Sequence, residues 1–271
     1  MMRALWTAAT GMIAQQTNID SISNNLSNVN TTGYKAENAE FKSLLYQNIQ
    51  TITTSANGVQ KPIPAQVGLG TRVASITSDF TNGPLLANSS NTAFALEGKG
   101  FFAVLDENGE TCYTRNGKFG WSIGVDGVTL CDQSGLRVLD TAGNPIVVPN
   151  DVNVNSLVVS NDGHFYYKDA DENTIDMGVD IGVFQFTNPQ GLEKDSRSLL
   201  RVTEASGPAL NEATNPGLIR SRICQNYLEG SNVNVADEMV NMIVAQRAYE
   251  LNSKAIQAAD EMLGQANQLR R

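Results

Sequence analysis

The C-terminal stretch 231–271 reads SNVNVADEMVNMIVAQRAYELNSKAIQAADEMLGQANQLRR, and its apolar residues recur at the period of an α-helix. Nine apolar residues follow one another at steps of three or four: Val240, Val244, Ala248, Leu251, Ala255, Ala258, Met262, Ala266 and Leu269. Asn234 with Asp237 three positions later is an N-cap pattern, and Asp237 and Glu238 place negative charge at the positive end of the helix dipole. We therefore predict a helix of about 35 residues, roughly 50 Å long. Its alanine-rich stripe lets a partner backbone approach closely.

A second helical pattern occupies the N-terminus. Its seam steps by threes and fours and is apolar at seven of eight positions: Leu5, Ala8, Met12, Gln15, Ile19, Ile22, Leu26 and Val29. An amphipathic helix ordinarily faces its own domain, and that alternative stays open for both helices. Their place at the two extremes of the chain, around a β-patterned middle, favours a coiled-coil-like terminal pair. In that pair we expect the N-terminal helix to cover the apolar stripe of the C-terminal helix.

Short strand patterns fill the middle of the chain. Residues 100–105 and 111–115, joined by the turn sequence DENG, predict a β-hairpin. Further strands are predicted at three places: 146–148, 165–167 and 182–186. Residues 51–70 are rich in Thr, Ser, Gly and Pro and have no convincing period, so we interpret them as extended. The predicted class is α+β with four parts: an N-terminal helix at 1–30, an extended connector at 31–70, an all-β central domain at 71–226 and a C-terminal helix at 227–271.

The net charge of −9 is concentrated in the middle of the chain. Residues 51–226 hold 12 basic and 19 acidic side chains, whereas residues 1–50 hold three of each. Because there is no basic patch, nucleic acid is not expected as a partner. The sequence has no run of about 18 apolar residues, so we do not expect it to insert into a membrane. Residues 4–14 follow Arg3 in the manner of a secretion signal, but polar residues and a glycine interrupt the run, so we interpret it as mature helix.

Two local patterns suggest a ligand site, and each lacks a required part. Residues 98–103, GKGFFA, fit G-x-G-x-x-A, but the residues that follow the first glycines read as a strand, where a dinucleotide site needs a helix. A calcium loop is matched in part by Asp169, Asp171 and Asn173. Thr174 and Asp180 stand where that loop needs glycine and glutamate. A solvated hairpin tip explains the same residues.

Histidine and cysteine offer little for catalysis or metal binding. His164 is the single histidine and follows a turn sequence, so no multi-histidine metal site is available. Cys112, Cys131 and Cys224 have no metal-like spacing. Either they are buried as small apolar residues, or Cys112 and Cys131 form a disulfide, which an extracytoplasmic location would permit. We assign no catalytic, metal or cofactor-binding residues and predict that the protein is not an enzyme.

Two longer motifs carry a resemblance to a known family. Residues 24–35, NNLSNVNTTGYK, are similar to a motif near the N-terminus of the bacterial flagellar rod and hook proteins. SNVNVADEMVNMI at 231–243, with QRAYE at 246–250, is similar to the C-terminal motif of that family. Residues 98–104 and 113–119 are similar to it as well, and the resemblance weakens between 121 and 180. Two long motifs at opposite ends, in the right order, make the match specific.

The resemblance implies a function in assembly. It implies a structural subunit that is exported through the flagellar type III system without a cleaved signal peptide and polymerises in the periplasm. Its partners would be copies of itself, proximal rod subunits, the hook protein and the surrounding ring proteins of the basal body. Residues 41–70, with LLYQ at 44–47, resemble the long connector of the distal-rod members, which implies a place in the rod that transmits torque from motor to hook.

Two alternatives remain open. Within the same class, the chain could be another rod or hook subunit. From a different class, it could be a secreted β-rich carbohydrate-active enzyme, for which paired carboxylates at a concave surface are expected. The residues expected to carry assembly are apolar members of the two helical seams: Leu5, Met12, Ile19, Ile22, Leu26, Val29, Val240, Val244, Ala248, Leu251, Ala255, Ala258, Met262 and Leu269.

Overall fold

The structure is a computed structural model, and it describes residues 2–50, 65–124, 127–149, 152, 154–168 and 174–268. Within these residues the chain combines two α-helices with many short strands, so the predicted α+β class is confirmed. The chain divides into two compact units. The helical unit comprises Met1–Ser27, Glu37–Ser78 and Asn234–Arg271, and the β unit comprises Asn28–Ala36 and Asp79–Val233.

The helical unit contains both α-helices and two antiparallel strand pairs. Its elements are α1 (Met2–Ser27), β1 (Glu37–Ser43), β2 (Tyr46–Gln50), β3 (Ala65–Gly68), β4 (Thr71–Ser78) and α2 (Val235–Gln268). β1 pairs with β4, with a bulge after Glu40, and β2 pairs with β3. Part of the range predicted as an extended connector therefore lies in paired strands. Residues 51–64 of that range lie outside the described residues.

α2 begins where the N-cap pattern predicts. The Asn234 side-chain oxygen accepts a hydrogen bond from the Ala236 backbone N–H at 3.1 Å, and its amide nitrogen donates to the Asp237 carboxylate at 2.7 Å. These bonds satisfy one of the helix's free N–H groups and hold the first turn. The N-cap pattern is confirmed, but the C-terminal helix predicted at 227–271 begins later than that bound, because Tyr227–Glu229 form a strand.

α1 ends earlier than predicted. The helix stops at Ser27, and the next residues form a turn in which Thr31 donates to Asn28 twice, through its backbone N–H and its hydroxyl, both at 3.1 Å. The Asn28 side chain competes for local hydrogen bonds, which ends the helix. The assignment of Val29 to the helical seam is therefore wrong, because Val29 follows the helix and belongs to the β unit.

α1 packs against a different face of α2 from the predicted one. The less exposed residues of α2 recur at steps of three or four, with Ser253 beside them: Glu238, Met242, Ala245, Ala248, Asn252, Ile256 and Ala259. The helices approach closely, since a Cβ added at Gly11 of α1 would lie 2.9 Å from the Asn252 side-chain nitrogen. The prediction that α1 covers the stripe from Val240 to Met262 is wrong. Periodicity marks an apolar arc, but α1 takes the neighbouring face, where small and polar side chains permit the close approach.

The β unit contains the remaining strands. They are β5 (Leu85–Ala87), β6 (Phe94–Glu97), β7 (Phe101–Leu105), β8 (Thr111–Thr114), β9 (Phe119–Ile123), β10 (Val128–Asp132), β11 (Arg137–Val138), β12 (Val147–Val148), β13 (Leu157–Val159), β14 (His164–Lys168), β15 (Thr174–Asp180), β16 (Val183–Gln185), β17 (Glu193–Lys194), β18 (Leu200–Arg201), β19 (Leu210–Asn211), β20 (Arg222–Gln225) and β21 (Tyr227–Glu229). Three single-turn 3₁₀ helices lie at Val154–Ser156, Pro189–Gly191 and Ser196–Ser198.

A ten-stranded sheet forms the largest part of the β unit. Its main path runs β12-β10-β11-β7-β8-β18-β17, with β9 beside β10 and β16 joining β7 to β19. The predicted hairpin is confirmed as β7 and β8. A separate antiparallel sheet has the order β13-β14-β15, while β6 pairs with β20 and β5 with β21. The core is rich in phenylalanine, with Phe101 and Tyr113 both packed edge-on against Phe186.

His164 and the three cysteines lie in the β unit, where their neighbours indicate structural roles. His164 pairs with Asp180 across β14 and β15. Cys112 and Cys131 are buried and unpaired, and Cys224 is half-buried and free. Burial raises the pKa of both buried thiols, which keeps them protonated. The proposed calcium residues Asp169, Asp171 and Asn173 lie outside the described residues. Neither helix, over its described length, is apolar enough to cross a membrane.

Candidate assembly surface

The predicted stripe of α2 is exposed in the single subunit. Val240, Val244, Leu251 and Met262 are 59%, 62%, 66% and 50% exposed. Ala255 and Ala258 on the same stripe are also exposed, and Ala248 is half-buried. Leu269 lies outside the described residues. We call the exposed α2 residues Val240, Val244, Leu251, Ala255, Ala258 and Met262 the α2 outer face. Contiguous apolar surface of this kind marks an interaction site.

The predicted seam of α1 is turned inward. Ile22 is buried, and Leu5, Met12, Ile19 and Leu26 are half-buried. They are covered because α1 packs against α2 and also against β1 and β4 of the same unit. The structure thus separates the predicted residues into two sets. Those on α1 hold the helical unit together, and those on α2 form an open surface.

Other apolar side chains of the helical unit are exposed as well. On α1 they are Trp6 and Ile13, and beside or within β2 they are Leu45, Tyr46 and Ile49. Scattered exposed apolar residues are ordinary on a monomer, but this unit presents them on both helices and beside or within β2. The whole unit, and not only α2, has surface suited to further packing.

One amide connects three elements of the helical unit. The Asn25 side chain of α1 donates to the Glu37 backbone carbonyl at 2.9 Å and to the Glu238 carboxylate of α2 at 3.2 Å, and it accepts from the Glu37 N–H at 2.8 Å. Asn25 is buried, so leaving these groups unpaired would be costly. The sequence predicted only that asparagines here interrupt the helix. The structure places this one within α1 as a fastener to β1 and α2.

Glu238 has a different environment from the one predicted for a first-turn acid. It is buried against α1, and desolvation raises the pKa of its carboxyl, while the hydrogen bond from Asn25 acts in the opposite direction. Its interaction with the helix dipole is therefore secondary to its contact with α1.

Lys35 of the N-terminal motif meets two residues from distant parts of the chain at a buried ion cluster in the β unit. Glu229 accepts from Lys35 Nζ at 2.6 Å, from Arg115 Nη1 at 3.3 Å and from the Gly83 N–H at 3.1 Å. Burial lowers the pKa of Lys35 and of Arg115, and the Glu229 carboxylate opposes that effect in both cases. Arg115 also lies over the Phe101 ring, 4.9 Å from its centroid. We call Lys35, Arg115 and Glu229 the buried ion cluster.

The backbone conformation and close packing at position 33 require the glycine of the N-terminal motif. Its φ of 71° is left-handed, and a Cβ added there would lie 2.7 Å from the Arg115 carbonyl carbon. Its N–H donates to the Glu229 carbonyl at 2.8 Å. Asn232 makes a second link, accepting from the Ala36 N–H at 2.7 Å and donating to the Asp79 carbonyl at 2.8 Å. The motif residues within the β unit therefore serve to join distant parts of the chain.

No pattern in the sequence predicts these buried links. Lys35, Arg115 and Glu229 are 80 or more residues apart in sequence, so no spacing rule connects them. The available signal was chemical: Lys35 and Arg115 are charged residues inside motifs rich in turn and strand residues, and Glu229 lies just before the C-terminal motif.

Two arrangements would have favoured an enzyme: a metal-binding cluster, or a free pair of carboxylates in a cleft. The described residues contain no group of three or more His, Cys, Asp or Glu side chains that could hold a metal ion. Asp180 and Glu212 line one cleft of the β unit, as the paired carboxylates of a carbohydrate-active enzyme would. Asp180 pairs with His164, and Glu212 accepts from Gln185 and twice from Ser221 at 2.6–2.8 Å. Both carboxylates are engaged in bonds within the fold.

Comparison with known proteins places the chain in a family. Three family models match it: "Flagella basal body rod protein" at residues 5–35, "Flagellar hook protein FlgE/F/G D1 domain" at 95–167 and "Flagellar basal body rod FlgEFG protein C-terminal" at 225–269. The flagellar basal-body rod protein FlgG of Borreliella burgdorferi is 44% identical over the full length of both chains. The chain belongs to the flagellar basal-body rod protein family.

Further rod proteins give the same result. FlgG of Buchnera aphidicola (subsp. Schizaphis graminum) and of Caulobacter vibrioides are each 38% identical, over 99% of this chain and 100% of theirs. A rod protein is a structural component of the flagellar basal body and not an enzyme. The terminal regions that match the rod models contain Asn25, Lys35, Glu229 and Glu238.

Proposed function

We propose that this protein polymerises helically to form the distal rod of the flagellar basal body, which transmits torque from motor to hook. The observation that carries the proposal is the exposure of the α2 outer face, where Val244 and Leu251 are 62% and 66% exposed. Each copy would cover this face with the helical unit of a neighbour. Burial contributes about 25 cal/mol per Å² of apolar area, and the same contact repeats at every subunit.

The pairing of faces supports a filament in preference to a closed dimer. The α2 outer face is on one side of the helix, and α1 occupies the adjacent face. A neighbouring copy can cover the α2 outer face with a different part of its own helical unit. The outer face of that neighbour then stays free for the next copy. Such head-to-tail contacts continue as a helix where the rotation does not close a ring.

The finer architecture follows the same logic. We infer that α1 and α2 form a coiled-coil-like pair within the core of the rod. Their close approach at Gly11 suits dense packing in that core. The β unit would act as an all-β domain on the outside of the rod. The strongly acidic middle of the sequence suits that solvent-facing position, because charged side chains remain hydrated there.

The distal position, partners and route rest on the resemblance. The long segment 41–70, with β2 and β3 at its ends, corresponds to the connector of distal-rod members. The partners would be copies of this chain, proximal rod subunits, the hook protein and surrounding ring proteins, with export through the flagellar type III system into the periplasm. The names of the relatives support the rod, and the finer position is our proposal.

Electron microscopy of the concentrated, purified protein tests polymerisation. The wild type should form tubular polymers, and Ala255→Arg should not, because the new charge would be desolvated at the subunit contact. Gln257→Arg is the matched control, since Gln257 is exposed among polar residues of the same helix and should still polymerise. Circular dichroism should give the same strand signal for all three. Normal polymers from Ala255→Arg, or loss of polymers in both variants, would contradict the proposed contact.

A further inference from the structure

Four asparagine residues in the sequence are followed by glycine, the pairing in which an asparagine loses its amide group most readily. The backbone nitrogen of the next residue attacks the side-chain carbonyl carbon, and glycine has no Cβ to obstruct that approach. Asn57 lies outside the described residues, and the other three pairs are at positions 82–83, 108–109 and 116–117. All three belong to the β unit, so their chemistry does not depend on polymerisation.

The pair at the end of β8 is held in place by its neighbours. Asn116 is half-buried, and its side-chain oxygen accepts from the Thr32 hydroxyl at 3.0 Å and from the Lys118 N–H at 3.1 Å. Gly117 is buried, and a Cβ added there would lie 1.7 Å from the Phe94 carbonyl oxygen. Close packing therefore fixes both partners of the reaction.

The pair before β5 is held in another way. The Asn82 amide is placed to exchange two hydrogen bonds with the Gly98 backbone, at 2.8 and 2.9 Å. The Gly83 N–H donates to the Glu229 carboxylate, which is buried, at 3.1 Å. Cyclisation here would remove a donor from a buried charge, which is costly.

Asn108 and Gly109 lie at the exposed tip of the β7–β8 hairpin. The Asn108 amide nitrogen donates one long hydrogen bond, 3.3 Å, to the Asp106 carboxylate. The Gly109 N–H donates to the Asp106 backbone carbonyl at 3.0 Å, and a Cβ added at Gly109 would meet no heavy atom within 4 Å. The nitrogen must therefore leave one backbone hydrogen bond at an exposed turn, and such bonds open at little cost in free energy.

We propose that Asn108 is a site of spontaneous deamidation, with the Gly109 nitrogen as the nucleophile and water as the co-reactant. The nitrogen loses its proton to solvent base and bonds to Asn108 Cγ, the Cγ–Nδ2 bond breaks, and ammonia leaves. Water then opens the cyclic imide at either of its carbonyl carbons, giving aspartate or isoaspartate. The reaction needs no oxidant or reductant. Because the modified fraction grows with time, it records the age of each copy.

The product changes an ion network that connects the hairpin to β18. Arg201 pairs with Asp106 at 3.2 Å and with Glu110 at 2.9 Å. A carboxylate at position 108 would stand beside Asp106, where an amide donor now lies, and like charges repel. Isoaspartate also adds one methylene group to the backbone of a tight turn. The hairpin tip should therefore be held less firmly in modified copies.

Peptide mass spectrometry of the aged, purified protein tests the site. Trypsin cleaves after Lys99 and Arg115, and in the peptide between them Asn108 is the only amide side chain. After incubation at mildly alkaline pH, we expect this peptide to gain about one mass unit and to separate chromatographically into two products. The rate at Asn108 should exceed the rates at Asn82 and Asn116 about tenfold or more, because an exposed turn opens more often than packed structure. In denaturant, where no fold holds them, the three rates should become similar.

A glycine variant and its matched control test the proposed attack. Gly109→Ala places a Cβ beside the nucleophile and should slow the reaction about tenfold or more. Gly135→Ala should leave the rate at Asn108 unchanged. It is a matched control because Gly135 also has a left-handed φ, 83° against 80° for Gly109, and open space around it.

Three results would each overturn the proposal. The first is that Asn108 reacts in denaturant but not in the folded protein, which would mean that the turn protects it. The second is that Asn82 or Asn116 reacts as fast as Asn108 in the folded protein. The third is that Gly109→Ala reacts as fast as Gly135→Ala.

Discussion

The two units of this rod protein distribute their apolar side chains in opposite ways. Among the described residues, thirty buried apolar side chains belong to the β unit and five to the helical unit. The five are Ala8, Ala14, Ile22, Ala245 and Ala259, and four of these are alanine. By contrast, eighteen of the twenty-six exposed large apolar residues lie in the helical unit. The β unit thus encloses its own core, whereas the helical unit leaves most of its large apolar residues exposed.

This difference separates two requirements of an assembling subunit. The β unit has buried aromatic packing, which gives stability without a partner, and a buried ion cluster, in which the loss of one partner would be costly. The helical unit buries mainly alanine and relies on the Asn25 hydrogen bonds, so in the proposed polymer neighbouring copies would supply most of its stabilisation. Folding of one unit and assembly of the other are therefore physically distinct events.

The largest expected effect concerns amide hydrogen exchange in dilute monomer. Strands of the β unit should exchange at least about a thousandfold more slowly than α1 and α2, because local opening is cheap where little apolar area is buried. Mass spectrometry on the monomer measures this, and the polymer serves as the comparison, in which both helices should become protected. Strong protection of α1 and α2 in a verified monomer would show that they are stable without neighbours.

A second test breaks the buried ion cluster. Glu229→Gln leaves Lys35 and Arg115 without their counter-charge, so the free energy of unfolding of the β unit should fall by about 3–5 kcal/mol. Denaturant titration measures the change. Glu204→Gln is the control, because Glu204 is exposed, and it should shift stability by less than about 0.5 kcal/mol. A small change from Glu229→Gln would mean that the cluster is not required for stability.

A third test concerns the helical unit alone. Asn25→Ala removes three hydrogen bonds that connect α1, β1 and α2, so the critical concentration for polymerisation should rise about tenfold or more. The β unit should keep its unfolding midpoint, since Asn25 lies outside it. Asn24→Ala, at an exposed neighbouring position, gives the comparison. Equal critical concentrations for the two variants would remove Asn25 from the assembly mechanism.

The smallest expected effect is on pH dependence. Because the pKa of Glu238 is raised above 4.5 when α1 and α2 pack together, the packed state binds its proton more tightly than the unpacked state. Helix packing is therefore favoured at low pH and loses stability as pH rises past 4.5 through the raised pKa. The critical concentration should rise over that window in the wild type and rise less in Glu238→Gln. Asp260→Asn, exposed on the same helix, should retain the wild-type slope.

The sequence predicted the helices better than their contacts. The α2 period and N-cap follow from local rules, and the structure agrees with both. The stop of α1 was placed too late because the Asn28 turn depends on one side chain competing with the helix. The covered face of α2 was predicted wrongly, since an apolar arc does not state which element packs on it. In this case the more apolar arc is the one left exposed.

No periodic pattern in the sequence predicts the long-range polar contacts. The hairpin β7–β8 was predicted because its two strands and turn are contiguous. Asn25 and Glu238, by contrast, are 213 residues apart, and Lys35 and Glu229 are 194 apart.

The span of the buried ion cluster affects the order in which the chain can fold. Lys35 lies near the start of the chain and Glu229 near its end, so a chain that emerges gradually, from either terminus, cannot complete the pair until most of its length has emerged. Contacts of such high sequence separation form slowly, because a large loop must close before they contribute. The β unit should therefore remain incompletely folded during synthesis or during passage through a narrow channel. Its last polar contact would then coincide with the arrival of the second terminus, which couples the timing of folding to delivery of the whole subunit.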